Sequence, residues 1–170
     1  MRHTLYFAGG CFWGTQKFFD CIKGVLATRV GYANGSTENP TYEQVCRQDT
    51  GHAETVEVLF EDTVLPLPLL LHTFYQAVDP TSVNRQGPDS GPQYRTGIYY
   101  LDARDEPVIR DSLAQLQKRI SAPVAIQCQR LEQFYEAEDY HQKYLEKNPG
   151  GYCHISPEQF ELARSANRSR

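Results

Sequence analysis

Gly9-Gly10-Cys11-Phe12-Trp13-Gly14 is the stretch of sequence on which the prediction of this fold depends. Residues 4–8, before it, are mostly apolar or aromatic and predict a strand, whereas apolar side chains at helical spacing over residues 16–25 predict a helix. Cys11 is therefore expected at a strand-to-helix turn, where glycines allow a tight backbone and the start of a helix favours a thiolate.

A buried thiol that packs as a small hydrophobic side chain is the alternative interpretation of Cys11, because most free cysteines have that fate. The pair Phe12-Trp13 favours a functional role, since it lies at the mouth of the turn and not in the middle of a helix. A helix end stabilises an anion by roughly 0.3–1 kcal/mol, less than the free energy of one pKa unit. The helix alone is therefore not expected to ionise Cys11 fully.

The length and composition of the chain exclude several classes of protein. Its 170 residues are enough for one domain with a sizeable core, and a net charge of −4 without a long basic run argues against binding to nucleic acid. The mean hydropathy of −0.56 is typical of a soluble protein. The short apolar run near the first residue predicts no signal peptide, and the run 65–71 is too short to span a bilayer. We expect a cytoplasmic monomer.

The five cysteines are more consistent with chemistry than with structural cross-links. None forms a C-x-x-C motif, which argues against a zinc site, and the odd count argues against a secreted disulfide framework. His154 follows Cys153 directly, but no second pair at ligand spacing exists, so no metal is expected. The cysteines are Cys11, Cys21, Cys46, Cys128 and Cys153.

Strand and helix patterns alternate along the rest of the chain, and one strand pair is linked by a tight turn. This predicts an α+β fold: a single two-layer catalytic domain over residues 1–170, with a mixed β-sheet flanked by helices and long loops. Residues 148–170 are expected to form an irregular tail with a weak last helix. Further strands are predicted at 25–32, 52–60, 97–101 and 124–128, helices at 67–78, 106–120 and 136–147, a helical turn at 41–46, and a loop without secondary structure at 81–96.

Glu54 is a candidate general acid because its position in the alternating strand 52–60 matches that of the apolar residues. Burial among apolar side chains raises the pKa of a carboxyl group and keeps it protonated near neutral pH. The alternatives are an ion pair with an arginine or a side chain that turns to solvent. If Glu54 lies within about 4 Å of Cys11, repulsion between two anions predicts that the pair shares one proton.

Three loop residues and two histidines complete the candidates. Tyr42 and Tyr94 can donate hydrogen bonds to a bound oxygen and Asp89 can accept one, although a tyrosine is more often a packing residue. His52 and His141 raise the alternative of a Cys–His acyl-transfer hydrolase, although each is more often a surface or satisfied histidine.

At Gly10-Cys11-Phe12-Trp13-Gly14 the chain resembles the A-type peptide methionine sulfoxide reductases, and the resemblance covers residues 5 to about 155. It implies reduction of the S epimer of methionine sulfoxide, in proteins or as the free amino acid, by thiol chemistry without a metal or organic cofactor. Further motifs match in order: Val30-Gly31-Tyr32, Pro40-Thr41-Tyr42, Gly51-His52-Ala53-Glu54, Asp79-Pro80-Thr81, Gln93-Tyr94-Arg95, Ala137-Glu138-Asp139-Tyr140-His141-Gln142 and Gly151-Tyr152-Cys153.

The resemblance also implies roles for the candidate residues. Cys11 would attack the sulfoxide sulfur and become a sulfenic acid, while Glu54 protonates the oxygen. Cys153 would then form a disulfide with Cys11, and thioredoxin would reduce it. The remaining roles concern substrate binding: Tyr42 and Tyr94 would polarise the oxygen, and Phe12 and Trp13 would hold the methyl group.

Two departures from the family pattern bear on these roles. Residues 154–170 contain no further cysteine, so Cys153 should face the external reductant directly. The loop 87–92 differs from the usual run around the aspartate, which weakens the expectation that Asp89 holds the substrate backbone. A Cys–His hydrolase and a non-catalytic peptide-binding module remain the alternatives from other classes.

Overall fold

The computed structural model describes residues 1–167 and has a six-stranded sheet at its centre. Eight strands are formed: β1 Arg2–Gly9, β2 Val25–Ala33, β3 Ala53–Glu61, β4 Arg85–Gln86, β5 Asp89–Ser90, β6 Thr96–Tyr100, β7 Gln127–Arg130 and β8 Phe134–Glu136. The helices are α1 Phe12–Asp20, α2 Tyr42–Cys46, α3 Leu67–Phe74, α4 Asp105–Arg119, α5 Tyr144–Lys147 and α6 Pro157–Ser165.

The sheet is mixed, which confirms the predicted α+β class. Its strand order is β7-β6-β1-β3-β2-β8, and every pair is antiparallel except β6 with β7. Strands β1 and β3 pair Phe7 with Val56, and β2 and β3 pair Tyr32 with Glu54. Because β1 leads into α1, this pairing places Glu54 at the end of the sheet where Cys11 precedes the helix.

The core lies where α1 and α3 cover the sheet. Phe7 of β1 packs against Phe19 of α1 and Phe74 of α3, with ring centroids 4.7 and 4.8 Å apart. All three side chains are fully buried. Burial of each is worth about 1.5–3 kcal/mol, so this cluster holds α1 firmly on the sheet.

Helix α1 begins earlier and ends earlier than the apolar spacing predicts. Gly10 has φ +89°, which turns the chain out of β1, and Cys11 takes the position just before the first helical residue. The helix ends at Asp20, and Gly24, at φ +105°, turns the backbone into β2.

The helix predicted at 136–147 is wrong. Phe134–Glu136 is strand β8 on the edge of the sheet, Asp139–His141 is a single 3-10 turn, and only Tyr144–Lys147 is α-helical. Gln142 explains the difference, because its side chain accepts from Val30 N and donates to Val30 O, both at 2.9 Å. These bonds attach the segment to β2, and Lys143 then takes a left-handed conformation at φ 55°.

The segment 81–96 is more regular than the predicted loop without secondary structure. Strands β4 and β5 form a two-stranded ribbon around Gly87, and Pro92–Tyr94 makes a 3-10 turn. Gln86 anchors the ribbon, since its buried amide donates to Asp79 O at 2.9 Å and to Thr96 Oγ1 at 2.8 Å.

The segment after residue 148 folds back across α1. It ends in α6, which Ser156 caps by accepting from Gln159 N, and α6 buries Phe160 against the core. Residues 168–170 of the predicted tail lie outside the described part of the chain. Over residues 1–167, no helix combines the length and the apolar character needed to cross a membrane.

Candidate active site

Cys11 is the residue around which the site is built. It precedes the first turn of α1 and is 7% exposed, so burial raises the pKa of its thiol, and the charge of Glu54 acts in the same direction. The backbone N–H groups of Trp13 and Gly14 act against this shift but do not overcome it. The direction of this shift agrees with the expectation that the helix start alone does not ionise Cys11.

Glu54 lies beside the same helix start. Its Oε1 accepts from the backbone N–H of Phe12 at 3.1 Å, and the side chain is 1% exposed. Burial raises the pKa of this carboxyl group to about 8, so the expected protonated acid is present at neutral pH. Its Oε2 is buried and has no hydrogen-bond partner within residues 1–167. Glu54 therefore has one oxygen anchored and one free for a substrate.

Burial acts in the same direction on both members of the pair. It raises the pKa values of Cys11 and Glu54, which favours the protonated form of each group. The sharing of one proton between them stays a prediction. The thiol must then lose its proton as the reaction begins, and the carboxylic acid is already in the form that donates one.

The structure brings Tyr42 and Tyr94 into the surroundings of Glu54. Both side chains are half-buried, and burial, followed by the charge of Glu54, raises the pKa of each phenol. Each phenol therefore stays protonated at neutral pH and can donate a hydrogen bond. Tyr42 begins α2 and Tyr94 ends the 3-10 turn after the ribbon, so the tertiary structure, and not sequence proximity, brings them together.

Phe12 and Trp13 form the aromatic part of the site. Phe12 is fully buried against Tyr42, with ring centroids 6.5 Å apart. Trp13 is half-buried and stacks on Tyr144 with centroids 3.8 Å apart, and its Nε1 donates to His141 Nδ1 at 2.9 Å. These contacts fix the indole plane beside Cys11, because the ring is held on its face and at its edge.

The two histidines that raise the alternative of a Cys–His hydrolase offer Cys11 no basic nitrogen. His141 uses Nδ1 to accept from Trp13, and burial lowers its pKa. His52 accepts from Gly35 N at 3.0 Å through Nδ1, and its Nε2 lies 2.7 Å from Thr37 O. Neither ring nitrogen of His52 is therefore available as a base for Cys11, and His141 serves to orient Trp13.

Sequence reasoning missed the roles of residues in 138–142, because it placed them on a helix. Glu138 accepts from the backbone N–H of Tyr42 at 3.0 Å and from the phenol of Tyr32 at 2.8 Å. Together with His141 and Gln142, it ties the aromatic residues of the site to the sheet edge. The family motif over residues 137–142 indicates that these residues matter, but it does not predict which residues their side chains contact.

Asp89 has a partner that the sequence did not predict. Its Oδ2 accepts from the phenol of Tyr152 at 2.7 Å, although 43% of the Tyr152 side chain is exposed. The charge of Asp89 contributes to the raised pKa values of both Cys11 and Glu54, which places it close to the site. Tyr152 of the tail therefore donates to one oxygen of the carboxylate that the resemblance assigns to the substrate backbone.

Cys153 lies against the first turn of α1. A Cβ atom placed on Gly14 would be 3.1 Å from Cys153 Sγ, so the glycine makes room for this thiol. All five cysteines are free, and Cys153 is half-buried. Cys21 follows the other end of α1, Cys46 is exposed on α2, and Cys128 lies on β7. Within residues 1–167, no group of three or more His, Cys, Asp or Glu side chains is arranged to hold a metal ion.

Comparison with known proteins gives one consistent result. The sequence profile described as "Peptide methionine sulfoxide reductase" matches residues 3–169. Peptide methionine sulfoxide reductase MsrA of Lachnoclostridium phytofermentans is 57% identical over 166 residues, which cover 98% of this chain and 100% of that protein. The MsrA of Clostridium acetobutylicum is 53% identical over 154 residues, or 91% of this chain and 95% of that one.

Solved structures have the same fold. Mxr1 from Saccharomyces cerevisiae in reduced form has a TM-score of 0.86 at 34% identity, with 91% of each chain covered. Methionine sulfoxide reductase A of Corynebacterium diphtheriae has a TM-score of 0.80 at 36% identity, with 89% of this chain and 77% of that chain covered. Mxr1 has also been solved in complex with Trx2.

Proposed function

The chain belongs to the peptide methionine sulfoxide reductase family and is an oxidoreductase that reduces methionine sulfoxide, and we propose that it acts on the S epimer, both in proteins and as the free amino acid. The observation that carries the proposed mechanism is the pairing of Cys11 with a protonated Glu54 whose Oε2 is unpartnered. A nucleophilic sulfur beside a buried acid suits a sulfoxide, because the sulfur of this group is attacked while its oxygen is protonated.

The first step transfers oxygen from the substrate to Cys11. The sulfur of Cys11 attacks the sulfoxide sulfur and forms an S–S bond, Glu54 gives its proton to the oxygen, and Tyr42 and Tyr94 donate hydrogen bonds to that oxygen. The hydroxyl group then passes from the substrate sulfur to Cys11 Sγ, as the bonds from the substrate sulfur to oxygen and to Cys11 break. The products are methionine and the sulfenic acid of Cys11, and the proton lost by the thiol restores the acid. The raised pKa of Glu54 supports this role because the group is protonated before the substrate arrives.

Trp13 is the residue that selects the methyl group of the substrate. Its indole is held by Tyr144 on one side and by His141 at Nε1, so its position does not depend on the substrate. Phe12 adds to the same apolar surface, since it is fully buried and packs against Tyr42. A fixed apolar surface favours the epimer that points its methyl group at the ring and its oxygen at Glu54.

The second step regenerates the enzyme through the tail. Cys153 attacks the sulfenic sulfur of Cys11, a disulfide forms and water leaves, and thioredoxin reduces the disulfide. The contact of Cys153 with Gly14 supports this pairing, and the existence of a complex between Mxr1 and Trx2 supports a thioredoxin-type reductant. We propose that residues 1–170 act as one catalytic domain with 148–170 as the tail, and that neither metal nor organic cofactor takes part.

The test is a single turnover without reductant. With a peptide that contains methionine-S-sulfoxide, each wild-type chain should reduce one sulfoxide residue to methionine and lose two thiols. The R epimer should cause neither change. Cys11→Ser should reduce none, and Cys21→Ser at the other end of α1 should behave as wild type. Substantial methionine release by Cys11→Ser, or equal reaction with both epimers, would contradict the proposal.

A further inference from the structure

His154 is a half-buried histidine that the reaction described above does not use. Its Nε2 lies 3.0 Å from the carbonyl oxygen of Gly9. A carbonyl oxygen only accepts hydrogen bonds, so Nε2 carries the proton and Nδ1 carries the lone pair. Nδ1 is itself buried and has no hydrogen-bond partner among the described residues. A buried nitrogen without a hydrogen-bond partner destabilises the fold, so its presence calls for an explanation such as a functional role.

The position of this nitrogen is defined by the two glycines that flank Cys11. A Cβ atom on Gly10 would lie 3.1 Å from His154 Nε2, and one on Gly14 would lie 3.1 Å from His154 Nδ1. The imidazole therefore occupies space that exists only because both positions lack side chains. It packs directly against the turn that holds Cys11.

Cys153 shares this space with His154. The same Cβ atom on Gly14 would lie 3.1 Å from Cys153 Sγ, so Sγ and Nδ1 are at most twice that distance apart. Within residues 1–167, Sγ makes a single hydrogen bond, which it donates to Ile155 O at 3.4 Å. Rotation about the Cα–Cβ bond of Cys153 swings the sulfur between staggered positions, which brings different neighbours within its reach.

We propose that His154 is the general base of the second step and accepts the thiol proton of Cys153 at Nδ1. This inference rests on the proposed function, because it needs the sulfenic acid of Cys11. The thiolate of Cys153 attacks Cys11 Sγ, the S–S bond forms, and the S–O bond breaks. The proton carried by His154 converts the departing hydroxide to water. The sulfenic sulfur is reduced and the thiol sulfur oxidised, so no further reagent is needed.

A base is needed because an ordinary cysteine thiol is mostly protonated at pH 7, while the thiolate is the nucleophile. Burial lowers the pKa of His154, which keeps Nδ1 unprotonated through the neutral range. Asp89 on β5 is the charged group that acts on the ring, and the thiol of Cys153 lies beside the same Gly14 position as Nδ1. Asp89 acts against the shift, but burial is the larger cause.

The experiment compares two substitutions of the same type. His154→Gln retains an amide N–H that can donate to Gly9 O but has no basic nitrogen, and His72→Gln changes an exposed histidine on α3. After rapid mixing with one equivalent of methionine-S-sulfoxide, released methionine and free thiols are followed from pH 6 to 9.5. Methionine release reports the Cys11–Glu54 step, and loss of the second thiol reports the step assigned to His154.

We expect His154→Gln to slow disulfide formation about 10²-fold at pH 7, with the sulfenic acid accumulating and trapped by dimedone. Its rate should then rise with pH and approach wild type near pH 9.5, because hydroxide in solution increasingly replaces the missing base. The wild-type enzyme and His72→Gln should form the disulfide at a rate nearly independent of pH between 6.5 and 9.

Two results would overturn the assignment. A wild-type rate in His154→Gln, or a loss that persists unchanged at pH 9.5, would make His154 a structural contact only. If the variant does not fold, the wild-type profile decides, since a tenfold rise per pH unit would show that no base assists Cys153. Failure of the proposed function looks different, because the wild-type enzyme would then release no methionine and lose no thiols.

Discussion

Cys11 and Cys153 lie in two regions that are held by different kinds of contact. Cys11 begins a helix packed on the central sheet, and its acid Glu54 lies on an interior strand paired on both sides. Cys153 lies in a segment without regular structure, which side chains such as Tyr152 and His154 attach to the rest of the molecule. The residues of the proposed first step therefore lie on regular elements of the fold, whereas Cys153, proposed for the second step, is held by a few side-chain contacts.

The difference has a chemical reason. Attack on the sulfoxide needs an acid, two phenols and an aromatic wall in fixed positions, and rigid elements provide such precision. In the proposed second step, Cys153 approaches Cys11 after the product has left, which a segment without regular structure allows more readily than a helix or strand does. Substitutions in the two regions should therefore affect different steps.

Cys153→Ser should separate the regions most completely. We expect it to release one methionine per chain, to leave a sulfenic acid that dimedone traps, and to show no turnover with thioredoxin, because the sulfur that resolves Cys11 is missing. Cys128→Ser is the control and should turn over normally. Thioredoxin-dependent turnover in Cys153→Ser, or a Cys11–Cys128 or Cys11–Cys46 bond in peptide maps of oxidised wild type, would remove Cys153 from the mechanism.

Glu54→Gln should slow methionine release by about 10²-fold while leaving the tail unaffected, because the amide lacks an acidic proton. The pKa of Glu54 is raised to about 8, so the wild-type rate should be level below that pH and fall as pH rises through it. The variant should lack this fall. An unchanged single-turnover rate at pH 7 would make Glu54 a structural anchor for Phe12 N.

Gly14→Ala tests the contact between the two regions. The added Cβ would lie 3.1 Å from atoms of Cys153, His154 and Ile155, so the tail must shift by a few tenths of an ångström. We expect disulfide formation to slow about tenfold and methionine release to change much less. Gly150→Ala is the matched control, because no atom lies within 4 Å of its added Cβ. Equal slowing of both steps would show that the tail also shapes the first site.

Tyr152→Phe should have the smallest effect. It removes the hydrogen bond to Asp89, which is worth about 1 kcal/mol, and leaves that carboxylate open to a substrate N–H. We expect the KM for a peptide sulfoxide to fall about two- to fivefold, with little change in kcat. Asp89→Asn should raise the KM instead. A higher KM in Tyr152→Phe would indicate that the phenol itself contacts the substrate.

Parts of the site were predictable because they depend on local patterns. The strand-to-helix turn at Cys11 follows from neighbouring residues, and the burial of Glu54 follows from the two-residue period of β3. The helix predicted at 136–147 failed because Gln142 bonds to β2, a partner more than a hundred residues away. The roles of Glu138 and His141 were missed for the same reason.

The sequence by itself determined the family and the α+β class, and it singled out the proposed nucleophile and acid, since these depend on motifs and short periodic patterns. Only the tertiary structure decided which groups surround them: Tyr152 on Asp89, His141 on Trp13, and the unpaired nitrogen of His154. The physical reason is that hydrogen bonds between distant segments depend on how strands and loops pack. That packing is a property of the whole chain and is not encoded at any one position.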